Sequence, residues 1–246
     1  MDIKTRGLVL RETEYRDADK ILTVLTETEG RLTVSARGVK RKNSKFTAAA
    51  QHLVFSEMDL FERAGKWYLR EARTVELFNG LRQDIVLLAI ACYFAELLEA
   101  VSDEDSPEPG ILDLGLTALY ILSKSDRDPD LIKAAFEMRL MCLTGYAPDL
   151  DACPHCGNPA PEHPVFDLIG SAISCRSCLT GNETWVPLAP GTLQALRHIV
   201  FAPMNRIFSF TLGAQAAAQL AEISEKYVQA RLERGFRTLD YWKDIR

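Results

Sequence analysis

Four of the six cysteines are arranged as two C-x2-C pairs, and this spacing constrains the fold more than any other feature of the sequence. The pairs are Cys153 with Cys156 and Cys175 with Cys178. A gap of two residues lets both thiolates of a pair face the same ion, so two pairs can complete a tetrahedral shell. The spacing is typical of structural zinc sites and predicts one Zn²⁺ per chain, held by a small module.

A shell of four thiolates has no open position for a water molecule or a substrate, so the predicted zinc is structural and not catalytic. Thiols without a metal and redox-active pairs remain as alternatives. His155 and His163 lie in the same segment and could compete as ligands, although four cysteines already fill the shell. Cys92 and Cys142 stand singly in apolar helical patterns, which predicts that they pack in the core.

The pattern of residues 1–80 is that of a small β-barrel. Short segments of alternating apolar and polar residues are separated by turn signals such as Glu29-Gly30 and Ala64-Gly65. The segments are TRGLVLRE, KILTVLTE, GRLTVSAR, HLVFSEMDLFE and KWYLREARTVEL. Five strands favour the OB fold, the five-stranded barrel that binds oligonucleotides in many proteins. On the fifth segment Trp67 and Tyr68 alternate, so at most one faces outward, where a ring could stack on a base; most aromatic residues are expected to fill the core.

After Leu81 the hydrophobic period changes from two to about 3.6 residues, which predicts helices. They are RQDIVLLAIACYFAELLEAV, ILDLGLTALYILSK, DLIKAAFEMRLMCLT, PGTLQALRHIVF and LGAQAAAQLAEISEKYVQARLER, the last capped by Thr211. The cysteine segment interrupts this pattern. The sequence therefore predicts an α+β multidomain chain: an OB-fold domain (1–80), an α-helical domain (81–150 and 185–246) and an inserted zinc module (151–184).

The longest apolar run, Ile85 to Val101, contains Glu96 and Glu99 and is shorter than the roughly 18 apolar residues of a membrane span. It is therefore predicted to be a buried helix. The N-terminal residues MDIKTRGLVL show no apolar segment behind a basic start, so no secretory signal is expected. Six cysteines with this spacing are not a disulfide framework and fit a reducing compartment. We expect a cytoplasmic protein that has no membrane partner.

The net charge of −5 hides an uneven distribution. Residues 1–80 carry 15 basic and 12 acidic side chains, whereas residues 81–150 carry 5 and 13. From Gly30 to Ser56 there is no acidic residue, and the six cations of this stretch are Arg31, Arg37, Lys40, Arg41, Lys42 and Lys45. Such a run, most of it on a predicted loop after the third strand, projects a positive field that attracts phosphates. The alternative is a solvated loop without a ligand.

Motifs of common enzyme sites are absent. The sequence has no GxxxxGK[ST], GxGxxG, HExxH or GxSxG motif. The four histidines are scattered, and no neighbouring residues support a histidine-based triad. Asp103, Glu104 and Asp105 lie on a proline-containing link, where carboxylates are expected to be solvated and not to act in acid–base catalysis. We expect a protein that is not an enzyme and does not hydrolyse ATP.

Three stretches stand in a characteristic order along the chain: ILTVLTETEGRLTVSARGVKRKNSKF, FEMRLMCLTGYAPDLDACPHCG and YVQARLERGFRTLDYWK. Together they resemble the bacterial RecO family of recombination mediators, over nearly the whole chain. The resemblance implies a DNA-repair protein that binds single- and double-stranded DNA and anneals complementary strands. It also implies the partners RecR, RecA and SSB (single-strand-binding protein), because family members help RecA to replace SSB on gapped DNA. Such a protein would be associated with the nucleoid.

The resemblance also implies which residues contact DNA. The family places cations on the third strand and the following loop, and the matching positions here are Arg31, Arg37, Lys40, Arg41, Lys42 and Lys45. Thr33 stands where some relatives have another cation. Some relatives also bind the acidic tail of SSB through basic residues of the helical domain. This chain has Lys133 there, followed by Ala134 and Ala135.

Two functions of other classes remain open. In the first, the acidic helical region serves as an adaptor for repair proteins, and DNA binding is weak. In the second, the chain is a metal-dependent hydrolase or a redox enzyme, which requires an open coordination position or a readily oxidised cysteine pair. Salt-dependent DNA binding argues for the mediator over the adaptor.

Overall fold

Five strands at the N-terminal end close on themselves into a barrel. The computed structural model describes residues 1–104, 106–108, 110–179 and 184–246. The strands are β1 Asp2–Tyr15, β2 Asp19–Thr26, β3 Arg31–Ala36, β4 Phe55–Arg63 and β5 Lys66–Glu76. Their order around the barrel is β1-β2-β3-β5-β4, and β4 pairs again with β1. β3 and β5 run parallel, while the other neighbours are antiparallel. This is the OB-fold barrel that the sequence predicts.

Strand alternation fills the barrel interior with aliphatic side chains. Every second residue of β2 and β3 points inward, so that Leu22, Val24, Leu32 and Val34 are fully or almost fully buried in one cluster. Each such side chain stabilises the barrel by about 1.5–3 kcal/mol relative to an exposed one. Trp67 packs against the same cluster. The interior of the barrel is therefore filled by side chains of its own strands.

Six α-helices follow the barrel among the described residues. They are α1 Ile85–Val101, α2 Ile111–Lys124, α3 Pro129–Leu143, α4 Pro190–Phe201, α5 Ala214–Leu232 and α6 Arg237–Ile245. The carboxylate of Asp84 caps α1 by accepting hydrogen bonds from the N–H groups of Val86 and Leu87. Asp128 caps α3, whose first residue is Pro129. None of these helices is both long and apolar enough to cross a membrane.

The start of α5 differs from the prediction. Thr211 was expected to cap this helix, but the residue that precedes its first turn is Gly213, and no side chain caps it. Thr211 lies two residues before Gly213, outside the helix. Glycine is tolerated at this position because it costs only a few tenths of a kcal/mol relative to a capping side chain.

Internal contacts divide the chain into two compact units. The first comprises Met1–Ser125 and Phe236–Arg246, and the second comprises Asp126–Gly235. Within the first unit the ring of Phe236 meets Tyr93 of α1 edge-on, with centroids 5.6 Å apart, and Thr238 hydrogen bonds to Glu96. The C-terminal helix α6 is therefore part of the unit that contains the barrel. The predicted boundaries of the OB-fold, helical and cysteine domains stay a prediction.

A small sheet carries the cysteine segment in the second unit. Its strands are β6 Pro164–Asp167, β7 Ala172–Cys175 and β8 Trp185–Pro187, in the order β7-β6-β8. The ring of Phe166 packs edge-on against Tyr227 of α5. The Tyr227 hydroxyl donates to the Tyr146 carbonyl at 2.9 Å and lies 2.8 Å from the Ser171 hydroxyl, within hydrogen-bond distance. These contacts fix the cysteine segment to the longest helix.

A buried ion cluster joins α3 to α5. The ammonium group of Lys133 lies 3.0 Å from a carboxylate oxygen of Glu137 and 3.3 Å from Glu225. Ser224 donates a hydrogen bond of 2.6 Å to Glu137. Lys133 and Glu137 are almost fully buried and have lost their hydration. Attraction between the opposite charges of the cluster has to offset that loss.

Replacing Lys133 by alanine should lower the free energy of unfolding by about 3–5 kcal/mol, because it removes the ammonium group that neutralises a buried carboxylate. Urea unfolding followed by circular dichroism measures this. Lys226→Ala is the matched control, since Lys226 and Glu222 form an ion pair of the same i, i+4 spacing on an exposed helix face. Its loss should be about 0.5 kcal/mol or less. Equal losses in the two variants would show that the buried cluster adds nothing.

Candidate nucleic-acid interface and four-cysteine site

The four predicted cysteines come together at one point. The sulfur atoms of Cys153, Cys156, Cys175 and Cys178 all lie within 4.8 Å of one another. Cys156 and Cys175 are 3.7 Å apart, sulfur to sulfur. A tetrahedral shell with Zn–S bonds of about 2.3 Å has sulfur–sulfur edges of about 3.8 Å. The arrangement fits a tetrahedral thiolate site, and it is too wide for a disulfide.

Local turns aim both pairs of thiols at this point. The N–H of Gly157 donates to the Cys153 carbonyl at 2.8 Å, which folds the first pair into a knuckle. Gly157 has a φ of +72°, a left-handed conformation that glycine adopts without strain. Cys175 ends β7, and a short 3₁₀ turn carries the chain to Cys178.

The surroundings of Cys153 favour its thiolate. Burial opposes ionisation, but backbone N–H groups of Cys175, Cys156 and His155 point at its sulfur and lower its pKa to about 6. The Cys175 N–H donates to this sulfur at 3.4 Å. By contrast, burial raises the pKa of Cys142 to about 11 and also raises the pKa of Cys92. The latter two thiols therefore have the inert character of core residues.

The basic stretch forms an ordered loop between β3 and β4. Its N–H groups bind the barrel: Gly38 donates to the Asp19 carboxylate at 2.7 Å, and Lys40 donates to the Ala18 carbonyl at 3.0 Å. The side chain of Val39 is buried in the barrel core, between two exposed cations. Because this apolar residue anchors the loop, the neighbouring basic side chains face outward.

A basic cleft opens beside this loop. It has a volume of about 590 Å³ and is lined by the cations Arg37, Arg41, Lys45 and Arg70, with Glu71 as the acidic exception. Three of the six predicted DNA-contacting residues thus share one cleft. Arg70 was missed because its significance depends on which strand β5 pairs with. Its one sequence signal is that it alternates with Tyr68 in KWYLRE and so shares the outward face.

The other predicted contacts have different surroundings. Lys42 is exposed but does not line the cleft. Lys40 pairs with Glu14 at 2.8 Å, and this hydrogen bond lowers the pKa of the Glu14 carboxyl. In the described part of the chain, Arg41, Lys42 and Lys45 form no ion pair with an acidic residue. Their charges are available to a polyanion.

Arg31 stands apart, at the start of β3 and about 20 Å of strand away from Arg37. Its guanidinium donates to the Ser102 carbonyl at 3.0 Å and lies 3.6 Å from Glu104. Its backbone N–H donates to the Asp103 carbonyl at 3.1 Å. The acidic link therefore contacts this arginine, while the side chains of Asp103 and Glu104 remain exposed, as the sequence predicts; Asp105 lies outside the described residues.

A further cleft of about 530 Å³ lies on the barrel between β1, β4 and β5. Its charged lining is mixed, with Lys4, Arg6 and Arg73 facing Glu27, Glu57, Asp59 and Glu71. Since carboxylates repel phosphates, this cleft does not suit a polyanion as the basic cleft does. An OB-fold barrel with a basic cleft, joined to helices and to a four-cysteine module, defines the class: the chain is a multidomain protein built on an OB fold.

Comparison with known proteins names the family. The model described as "Recombination protein O N terminal" matches residues 1–78, and "Recombination protein O C terminal" matches residues 82–240. The chain is 31% identical to the DNA repair protein RecO of Acetivibrio thermocellus, over 99% of this chain and 97% of that protein. It is 28% identical to the DNA repair protein RecO of Bacillus subtilis, over 92% and 88% of the two chains. The chain belongs to the RecO family of DNA repair proteins, which confirms the resemblance of the three motifs.

If the four cysteines hold a metal ion, replacing Cys153 by serine should abolish metal binding and lower the melting temperature by roughly 5 °C or more, because metal binding contributes to the folding free energy. Elemental analysis of the purified protein and a thermal melt with and without chelator measure both effects. Cys92→Ala, at a thiol outside the site, serves as the control and should keep the metal. A Cys153→Ser variant that melts at the wild-type temperature would contradict a structural role.

Proposed function

We propose that this chain is a recombination mediator that is not an enzyme. It binds single- and double-stranded DNA through the basic cleft, anneals complementary strands, and acts with RecR to help RecA replace SSB. The observation that carries the proposal is the cleft itself, in which Arg37, Arg41, Lys45 and Arg70 face one space on an OB-fold barrel. Family membership supports the same function. The proposed location is the cytoplasm, in association with the nucleoid.

The physical task of annealing is to bring two polyanions together. Cations in the cleft replace the counterions that screen the phosphates, and this lowers the repulsion between strands without reading their sequence. The cleft suits this task because its donors are long arginine and lysine side chains that reach phosphates from several directions. Annealing by this scheme requires no ATP, and no covalent bond is broken.

The four-cysteine site has a structural role in this proposal. Zn²⁺ is the ion proposed for it, since four thiolates in a tetrahedral arrangement are a donor set that zinc prefers. Its contribution is to hold the knuckle of Cys153 and Cys156 against the end of β7. With four protein ligands, the ion has no position for a substrate.

Lys133 does not provide a surface cation for the acidic tail of SSB. Its ammonium group is buried between Glu137 and Glu225. The burial of Lys133 supports what the sequence indicated: at this place, the helical domain of this chain lacks the basic surface that some relatives have. The second candidate function is the adaptor, favoured by the excess of acidic residues in 81–150.

Reversing Arg37 and Lys40 to glutamate together should weaken binding to all DNA sequences and flatten the dependence of affinity on salt. Each lost phosphate contact reduces the slope of log affinity against log salt by about 0.7–0.9. The measurement is annealing of complementary SSB-coated oligonucleotides without ATP at two salt concentrations, together with titrations of affinity. Lys124→Glu with Lys226→Glu makes the same change of net charge on exposed helix positions and should leave binding unchanged. Wild-type protein that does not bind or anneal DNA would favour the adaptor.

Arg31→Gln should reduce DNA affinity less than Arg37→Gln. The Arg31 guanidinium is already bound to Ser102 and Glu104, so a phosphate must displace both before it gains this charge. Titration of one labelled oligonucleotide with the two variants compares them directly, and thermal melts check that both are folded. An equal or larger loss in Arg31→Gln would place Arg31 in the main contact surface instead.

A further inference from the structure

Two aromatic rings lie side by side on the outer face of the barrel. Phe61 of β4 and Tyr68 of β5 are paired directly across the strands. Their ring centroids are 5.2 Å apart and their planes differ by 20°. Trp67, the neighbour of Tyr68, packs against the barrel core, so strand alternation turns Tyr68 outward. Both rings are partly exposed, and filling the core does not account for their position.

An arginine lies over one face of each ring. The guanidinium carbon of Arg37 lies 4.7 Å from the centroid of Tyr68, and that of Arg70 lies 5.1 Å from the centroid of Phe61. The same two arginines line the basic cleft. Four planar groups, which are two rings and two guanidinium groups, are therefore contiguous with the surface that faces the phosphates. We refer to Arg37, Phe61, Tyr68 and Arg70 as the planar cluster.

Two carboxylates orient one member of the planar cluster, Arg70. Arg70 pairs with Asp2 at 2.9 Å and with Asp59 at 3.4 Å, which fixes its guanidinium on the barrel surface. An arginine whose position is fixed loses little entropy when a further planar group stacks on it. Arg70 therefore has its carboxylate partners before any ligand arrives.

Two basic residues lie opposite each other in the hairpin next to the planar cluster. Arg63 and Lys66 face each other directly across β4 and β5 at the end of these strands. Like charges in this position destabilise a sheet. In the described ranges neither residue forms an ion pair. The pair adds two positive charges near the aromatic rings, which favours the approach of a polyanion.

We propose that the planar cluster is a stacking platform for the bases of single-stranded DNA. The inference rests on the proposed function and specifies it: phosphates lie in the basic cleft, and unpaired bases stack on Tyr68, Phe61 and the two guanidinium planes. Every base has a flat face, so the platform does not select a sequence. In a duplex the bases already stack on one another, and only the phosphate contacts remain. The platform therefore favours single strands.

This preference gives annealing a direction. A single strand is held by phosphates and bases, and both sets of contacts present it to a complementary strand. Once pairs form, the bases leave the cluster and the duplex is held by its phosphates alone. Each strand of the duplex product is thus held by fewer contacts than the single strand was, which allows the protein to release the duplex.

The test compares three oligonucleotides of equal length: oligo(dT), a strand in which abasic tetrahydrofuran sites replace the bases, and a duplex. Tyr68→Leu should lower the affinity for oligo(dT) about tenfold, within the range measured for loss of one stacked base. Its affinity for the abasic strand and for the duplex should change less than about twofold, because the phosphate contacts of the cleft remain.

Two control variants separate stacking from folding. Tyr68→Phe keeps the ring and should bind oligo(dT) as wild type does, while Tyr120→Leu changes an exposed tyrosine of α2 that does not line the cleft. Thermal melts confirm that each variant is folded. An equal loss on oligo(dT) and on the abasic strand would overturn the platform, since Tyr68 would then act only by positioning Arg37. An unchanged affinity for oligo(dT) would overturn it as well.

The wild-type protein separates this inference from the function on which it rests. Wild type that binds oligo(dT) and the abasic strand equally, with strong salt dependence, retains the mediator and overturns the platform. Wild type that binds none of the three oligonucleotides overturns both. Wild type that prefers oligo(dT), with the preference lost in Tyr68→Leu and kept in Tyr68→Phe, is the expected result.

Discussion

The parallel pairing of β3 with β5 is the constraint on which the DNA-binding surface depends. It places Val34 opposite Trp67 and Ser35 opposite Tyr68, and it closes the barrel. Because the pairing ends just before the basic loop begins, Arg37 emerges beside Tyr68. The positions of the cleft, the planar cluster and the barrel core therefore all depend on the pairing of β3 with β5. Trp67 faces the core and its neighbour faces the solvent, so a change of register by one residue would exchange the two rings and remove both surfaces.

Charge balance at the barrel surface distinguishes cations that hold the protein together from cations that remain available. Arg31 is bound by Ser102 and Glu104, whereas Arg70 lines the cleft even though Asp2 and Asp59 hold it. Lys42 and Lys45 have no such partner among the described residues. A net charge of −5 thus coexists with a strongly basic cleft, because the field near a polyanion depends on where the charges lie.

The sequence was informative where a feature is local. Alternation predicted all five barrel strands, the change of period predicted five of the six helices, and cysteine spacing predicted the four-thiol site. Features made by distant pairing were missed. The partner of Arg31 lies about seventy residues further along the chain, and the pairing of Phe61 with Tyr68 becomes visible only when the hairpin forms. The strands of the cysteine module, three or four residues long, are too short to show a period.

The path of the chain between the two compact units has a consequence for biosynthesis. Residues 126–235 form a unit of their own, and the segment Phe236–Arg246 returns to the unit built by Met1–Ser125. Tyr93 therefore cannot make its contact with Phe236 until the ribosome has made the entire second unit. Domains generally fold as units, N-terminal first, during synthesis. The barrel can close early, but the helical part of its unit has to wait for the last residues, with apolar surface exposed in the meantime.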